Sequence, residues 1–199
     1  MSTPKMSTEA RREQIARAAL ALFAQEGVEG FSIAKLSRSV GLVPSAIYRH
    51  FSGKEEVLEA SLDVLRHKLY GLVEAARDES EDPLEILERL LKKHAHLIAL
   101  GKAAPHVLLN SDASSGHEVR RMKLHRIFVG YLSQIEGIAR EGQASGVIRK
   151  DVAAETIALL FVGIVQPAAL LMGIRGESFN LVGHVTQAWK LFGQAIRSS

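Results

Sequence analysis

Apolar residues recur along this chain with the spacing of amphipathic α-helices. In the first such segment they fall at i, i+3, i+4, i+7 and i+8, which places them on one face of a helix over residues 8–26. Their positions are Ile15, Ala18, Ala19, Leu22 and Phe23. Ser7 or Thr8 can cap the start of this helix, and Gly27 can end it in the left-handed conformation.

The same periodicity continues to the last residues of the chain. Two short helices are predicted from the cap Ser32 to Val40 and from about Pro44 to His50. The remaining helices are predicted over residues 54–77, 83–100, 117–143, 151–172 and 178–197. Their N-caps, where the sequence offers one, are Asp82, Asp151 and Ser178. Residues 101–116 have loop composition, and no run alternates like a strand, so we predict an all-α protein of about nine helices.

Residues 32–54 have the pattern of a helix-turn-helix motif. Two short helices joined by a turn that contains Gly41 can pack at a fixed crossing. The apolar side chains available for that packing are Leu36, Val40, Leu42, Ile47 and Phe51. The first turn of the second helix, residues 43–46, and the outward Arg49 are then free to enter a major groove.

Positive charge is concentrated in the same part of the chain. Residues 1–54 hold eight Lys and Arg against four Asp and Glu, although the net charge of the whole chain is only +3. A basic module indicates a polyanionic partner. A solvated surface on a plain helical hairpin explains the charge equally well, but the glycine turn, the Tyr-x-His sequence and the Lys that follows together favour DNA.

Several classes of protein are excluded or disfavoured by composition and motifs. The 199 residues include no cysteine, which excludes disulfide scaffolds, Cys-ligated zinc, iron–sulfur clusters and thiol nucleophiles. The sequence has no phosphate-binding Gly-rich loop, no His-Glu-x-x-His and no Gly-x-Ser-x-Gly. His94 and His96, in the histidine-rich stretch 94–125, point about 200° apart on a helix and cannot share an ion. We therefore expect no enzyme activity, no catalytic residues and no cofactor. We assign no metal ligand, and the sequence leaves open whether other histidines in the stretch 94–125 bind a metal.

A set of short sequences in the first sixty residues carries a resemblance to a known family. They are Ala-Leu-Ala-Leu-Phe-Ala-Gln-Glu-Gly at 19–27, the Gly41-Leu42 turn, Ile-Tyr-Arg-His-Phe at 47–51 and Lys-Glu-Glu at 54–56. With Ser32 and Leu36, they resemble the TetR (tetracycline-repressor-like) family of bacterial transcriptional regulators. The resemblance implies a three-helix DNA-binding head over residues 1–53. It also implies a larger helical body over residues 54–199 that dimerises and binds a small molecule.

The resemblance also implies roles for individual residues of the head. Positions that grip phosphates in the family are occupied by Ser32, Tyr48, His50 and Lys54. Positions where base or groove contacts vary are occupied by Pro44, Ser45, Ala46 and Arg49. Val43 departs from the family, which often has a Ser or Thr cap there, and the Pro that follows presets the helical φ instead.

The segment 151–172 is apolar nearly all round, so it must be covered on every side. A membrane span is the alternative, but Glu155, Gln166 and Pro167 interrupt the segment and no aromatic belt flanks it. We expect it to pair with the last helix across a two-fold axis of a homodimer. The interface residues expected are Leu160, Ile164, Ala168, Val185 and Trp189.

These observations predict a cytoplasmic, homodimeric, DNA-binding transcriptional regulator, a repressor, without membrane association. Its partners would be a palindromic or near-palindromic double-stranded operator and a largely apolar small-molecule effector. Candidate effector-binding residues in the body are Leu97, Phe128, Tyr131 and Phe161. The effector would act on the heads through the helix over residues 54–77, and the sequence leaves open whether it releases or strengthens DNA binding. A helical protein-interaction module without DNA binding is the alternative function.

Overall fold

The structure is a computed structural model that describes residues 7–100, 118–175 and 179–198. These residues form eight α-helices and no β-strand, which confirms the all-α prediction. The helices are α1 Thr8–Gly30, α2 Ile33–Ser39, α3 Pro44–Tyr48, α4 Lys54–Arg77, α5 Pro83–Ala99, α6 Glu118–Ser145, α7 Ala154–Arg175 and α8 Leu181–Ile196. The predicted loop at 101–116 lies outside the described residues.

Three glycines with positive φ lie where the sequence predicted that helices end. Gly27 has φ 71° and kinks α1, Gly41 has φ 68° after α2, and Gly146 has φ 81° after α6. This left-handed region costs glycine little because it has no Cβ. The predicted caps Ser32 and Asp82 also accept backbone N–H groups at the first turns of α2 and α5.

Two predicted caps are wrong. Asp151 does not start a helix, because both of its carboxylate oxygens bind the guanidinium group of Arg149 at 2.6 Å and α7 begins only at Ala154. The cap of α8 is Asn180, whose side chain accepts the N–H of Gly183 at 2.8 Å. The predicted cap Ser178 lies outside the described residues.

The chain divides into two compact units. The first comprises residues 1–67 with 101–123, and the second comprises residues 68–100 with 124–199. Within the first unit α1, α2 and α3 pack together. Its fully buried apolar side chains are Ile15, Ala19, Leu20, Leu36, Ile47, Val57, Leu58 and Leu65. Phe23 and Phe51 are also buried in this core, whereas the predicted inward residues Ala18 and Leu22 are half-buried.

In the second unit α5, α7 and α8 pack against one another. The large, fully buried side chains of this core include Tyr131, Phe161, Leu69, Leu87, Leu90 and Ile135. The last turn of α4 is tied to α6 by two parallel hydrogen bonds of 2.8 Å from the Arg77 guanidinium to the Glu141 carboxylate. The second unit therefore holds a large apolar core with its charged groups at the edges.

Candidate nucleic-acid interface

The turn between α2 and α3 is held by hydrogen bonds of its own backbone. The N–H of Leu42 donates to the carbonyl of Ser37 at 2.8 Å, and the N–H of Gly41 donates to that of Arg38 at 3.2 Å. This pattern closes the C-terminus of α2 and requires a left-handed residue at Gly41. The helix-turn-helix geometry predicted from the sequence is therefore present.

Helix α3 presents one face to the core and one to solvent. Ile47 is fully buried, whereas Pro44, Ser45, Tyr48 and Arg49 are exposed. No carboxylate pairs with Arg49 among the described residues, so its guanidinium is available to a ligand. The exposed face of α3 has the composition expected of a DNA-reading surface.

One predicted contact residue lies on the wrong face. Ala46 is only 5% exposed, because it follows Ser45 into the first turn of α3 and points toward the core beside Ile47. Its methyl group cannot meet a base edge, so we remove Ala46 from the interface. Val43, which the sequence placed in the groove-facing turn and marked as a weak cap, is strongly exposed at the same helix end and makes no side-chain cap bond.

The predicted phosphate-gripping residues lie at helix ends in the same unit. Ser32 is half-buried and its hydroxyl accepts the N–H of Lys35 at 3.2 Å, which leaves its own proton free to be donated. Lys54 is the first residue of α4, and its ammonium lies 5.8 Å from the centre of the Phe31 ring. His50 is half-buried directly after α3.

Sequence reasoning missed a network that joins α1 to the turn before α4. The guanidinium of Arg12 lies 4.2 Å above the ring of Phe51, donates to the carbonyl of His50 and pairs with Glu56 at 2.7 Å. The other carboxylate oxygen of Glu56 accepts two hydrogen bonds from Ser52, one from its backbone N–H at 2.7 Å and one from its side-chain hydroxyl at 2.9 Å. This network fixes His50 and the start of α4 relative to α1.

The same hydrogen bonds change the acidity of Glu56. The backbone N–H of Ser52, followed by the Arg12 guanidinium and the Ser52 hydroxyl, lowers the pKa of Glu56 from 4.5 to about 2. The signal in the sequence was the Ser-Gly-Lys-Glu-Glu run at 52–56, which resembles a capping box. The Arg12 partner could not be found from it, because it lies 44 positions away.

The four predicted effector residues all belong to the second unit. Tyr131 and Phe161 are fully buried, and Leu97 and Phe128 are half-buried. Sequence reasoning missed His94 as their neighbour: the Tyr131 hydroxyl lies 3.2 Å from its Nδ1, and the two rings meet edge to face. No group of three or more potential metal ligands occurs in the described part of the chain.

The predicted dimer residues divide into two sets. Leu160 is 54% exposed and Ile164 is half-buried, but Ala168, Val185 and Trp189 are buried inside the chain itself and have little surface to offer a partner. They were misassigned because a helix that is apolar all round does not indicate which side faces its own core. The exposed apolar residues of α7 and α8 are Leu159, Leu160, Leu170, Leu171, Ile174 and Leu191.

Helix α7 also has the length and the apolar composition of a membrane-spanning helix. Residues 154–172 form one helix that is long and apolar enough to cross a bilayer, and 39% of that stretch is buried inside the protein. Its buried residues Ile157, Phe161 and Val165 belong to the core of the second unit. A core helix of a soluble protein has the same properties.

A glycine-turn helix pair with an exposed basic helix face, followed by a separate all-helical unit, defines a helix-turn-helix DNA-binding regulator. Comparison with family models agrees. Residues 15–61 match the model of bacterial regulatory proteins of the tetR family, and residues 65–195 match that of the C-terminal region of YsiA-like proteins. The chain belongs to the TetR family, as its sequence predicted.

Relatives and solved structures match over nearly the whole chain. The fatty acid metabolism regulator protein of Bacillus subtilis is 23% identical, over 93% of this chain and 95% of that protein. A TetR transcriptional regulator from Chloroflexus aurantiacus has a TM-score of 0.81 at 21% identity, covering 96% of this chain and 98% of its own. The FadR regulator of Bacillus subtilis, solved with stearoyl-CoA, has a TM-score of 0.74 at 22% identity, covering 92% and 98%.

Family membership confirms the function predicted from the sequence. The protein is a DNA-binding transcriptional regulator under the control of a small molecule. The alternative of a helical interaction module without DNA binding finds no support in these matches.

Proposed function

We propose that this protein is a repressor that binds a two-fold symmetric operator as a homodimer and releases it when a long-chain acyl thioester binds. The observation that carries the DNA part is the exposed face of α3. There Ser45, Tyr48 and Arg49 stand together on a helix whose other face, Ala46 and Ile47, is locked into the core. Rigid backing of this kind holds a reading surface at a fixed angle.

Within that surface the residues have different tasks. Arg49 reads a base edge in the major groove, with Pro44 and Ser45 at the groove-facing start of α3. Tyr48, His50, Ser32 and Lys54 contact phosphates, which position the head but carry no sequence information. The domain division is functional: residues 1–53 bind the operator, and residues 54–199 dimerise and bind the effector.

The exposed apolar stripe of α7, with Leu191 of α8, forms the dimer interface. Leu159 and Leu160 lie on one side of α7, about one turn before Gly163 and two turns before Pro167 on that same side. Leu170, Leu171 and Ile174 continue this side toward the end of the helix. Ile174 is 72% exposed and Leu191 74% exposed in the single chain. A second copy of the same stripe covers these side chains without leaving a charge unpaired.

The effector class comes from the relatives and from the core of the second unit. One relative is the fatty acid metabolism regulator protein of Bacillus subtilis, and one matching structure, the FadR regulator of Bacillus subtilis, was solved with stearoyl-CoA. Tyr131, Phe161, Phe128 and Leu97 supply the apolar and aromatic surface that a fatty acyl chain requires. The acyl group would bind against these residues.

Release follows from coupling between the effector and the separation of the two heads. Helix α4 begins with Lys54, a DNA-contacting residue, and its later residues belong to the second unit. An effector that shifts α4 in each subunit changes the distance between two heads that must match half-sites about one helical turn apart. A repressor that binds operator DNA in this way would act in the cytoplasm.

The test is a binding titration with DNA from upstream of the protein's own gene. We expect an affinity that falls steeply with salt, because phosphate contacts release counterions. Stearoyl-CoA should lower that affinity at fixed salt, and stearate of the same chain length serves as the comparison. Absence of a salt-dependent shift overturns the DNA part of the proposal, and tighter DNA binding with stearoyl-CoA overturns release.

A further inference from the structure

The core of the second unit contains a polar pair that its own packing does not satisfy. His94 on α5 is 1% exposed and Tyr131 on α6 is fully buried. The Tyr131 hydroxyl lies 3.2 Å from Nδ1 of His94, yet the other ring nitrogen, Nε2, is buried without a hydrogen-bond partner. An unpaired buried polar atom is destabilising and is uncommon in folded proteins, so this one needs an explanation.

Both members of the pair are uncharged at neutral pH. Burial lowers the pKa of His94 to about 4 and raises the pKa of Tyr131. If Nδ1 carried the ring proton and donated to the phenol oxygen, both the phenol proton and Nε2 would lack a partner. The favoured arrangement is therefore the one in which the Tyr131 hydroxyl donates to Nδ1 and the single ring proton of neutral His94 is on Nε2. The unpaired atom is then an N–H donor that faces an apolar interior, where its counterpart must be an acceptor.

The acceptor that fits this donor is uncharged. Apart from His94, the buried residues that the structure describes in the second unit are apolar or aromatic, so none of them is a cation that could balance a buried anion. A carboxylate at Nε2 would lose its hydration and gain only one hydrogen bond, which does not offset the free energy of desolvation of the charge. A thioester or ester carbonyl meets the same donor without that desolvation cost.

We propose that His94 Nε2 donates a hydrogen bond to the carbonyl oxygen of the effector and thereby selects an acyl thioester over the free fatty acid. This inference rests on the effector class of the proposed function. Tyr131 is a positioning residue that holds the imidazole in the donating tautomer. Leu97 lies one helical turn from His94 on α5, and Phe128 lies one turn from Tyr131 on α6, where they can flank the acyl chain.

The test compares three probes of equal chain length by calorimetric titration without DNA, below their micelle concentrations. They are stearoyl-CoA, its octadecyl thioether analogue, which lacks only the carbonyl oxygen, and stearate. The wild type should bind stearoyl-CoA about tenfold (about 1.4 kcal/mol) more tightly than the thioether. Stearate should bind more weakly than stearoyl-CoA.

Three variants assign that difference to the pair. In His94→Leu the two CoA probes should bind alike, and His94→Gln, which keeps an N–H donor, should restore part of the preference. Tyr131→Phe should reduce the preference for stearoyl-CoA over the thioether, because the imidazole is no longer held in the donating tautomer. Thermal unfolding of each variant checks that it is folded.

The outcomes separate this inference from the proposal it rests on. A wild type that does not distinguish the thioester from the thioether overturns the role of His94, whether or not the variants fold. So does a folded His94→Leu that keeps the tenfold preference. A wild type that binds no probe overturns both this inference and the effector class, while the DNA titration still decides whether the protein is an operator-binding regulator.

Discussion

Arg49 and Lys54 differ in what they can tell apart on DNA. Arg49 is the exposed C-cap residue of α3, and its planar guanidinium can pair with both acceptors of a guanine. Lys54 begins α4 and offers a point charge suited to a phosphate. Both side chains carry one positive charge, so removing either one is expected to weaken DNA binding. Their roles are distinguished by whether the loss of affinity depends on the DNA sequence.

We expect Arg49→Ala to cost about 1–3 kcal/mol at one base pair in each half-site and to relax the preference there. Lys54→Ala should weaken binding to all sequences alike and lower the salt slope by about 1. Selection from a randomised half-site measures the first effect, and a salt titration measures the second. An unchanged consensus with Arg49→Ala would place Arg49 on a phosphate instead.

Which residues build the DNA-binding head could be predicted from the sequence more completely than the directions in which their side chains point. Gly41, Ser32 and Ile47 follow from local rules for turns, caps and apolar spacing, and the structure confirms their conformation or burial. Ala46 was misplaced because α3 has only five residues, too few for periodicity to define its faces. The His94–Tyr131 contact spans 37 positions, which no local pattern encodes.

At the scale of elements, the contact between α1 and the start of α4 depends on one carboxylate. The low pKa of Glu56 means that its charged form is favoured by the folded state. A lowered folded pKa contributes stability above the unfolded value of 4.5, and that contribution is lost as the pH falls toward about 2. Acid should therefore loosen the head at this contact.

We expect the free energy of unfolding of the wild type to fall more steeply between pH 4.5 and about 2 than that of Glu56→Gln. Chemical denaturation at a series of pH values measures both slopes. Glu9→Gln, at the exposed start of α1, is the control for the change in net charge. Parallel curves for the wild type and Glu56→Gln would show that Glu56 is not tied to Arg12 and Ser52 in solution.

For helix α7, the sequence pattern does not predict which side faces the protein's own core and which side faces outward. Its composition predicted correctly that it must be covered, but only packing shows that Ala168 faces its own core whereas Leu160 faces outward. Two functions of an apolar helix, filling a core and covering a partner, look alike in a sequence. The exposed stripe therefore comes from the structure, and the dimer it implies remains a prediction.

We expect Leu160→Glu to convert the dimer to monomer or to precipitate it, because it buries an unpaired carboxylate in each subunit at several kcal/mol per ion. Ala144→Glu adds the same charge at an exposed position of α6 and should leave the mass unchanged. Sedimentation equilibrium without detergent gives the mass of each variant. A wild type that sediments as a soluble monomer, or a Leu160→Glu variant that stays dimeric, would remove α7 from the interface.

At the scale of the whole molecule, two local features combine into the proposed function. In the proposed function, an exposed α3 in each of two subunits would read two half-sites, and the second unit would supply both the pairing surface and the effector site. Family membership could be predicted from the first sixty residues because the head is built from local turns and caps. The effector-binding core could not, because it is assembled from helices far apart in the sequence.

The most direct test is in vitro selection of the wild-type protein on a pool of random double-stranded DNA. The account predicts that the enriched sequences contain an inverted repeat, with half-sites about 10 base pairs apart between centres, and that each bound duplex carries two chains or a multiple of two. Enrichment of a single half-site bound by one chain, or no enrichment at all, would contradict it.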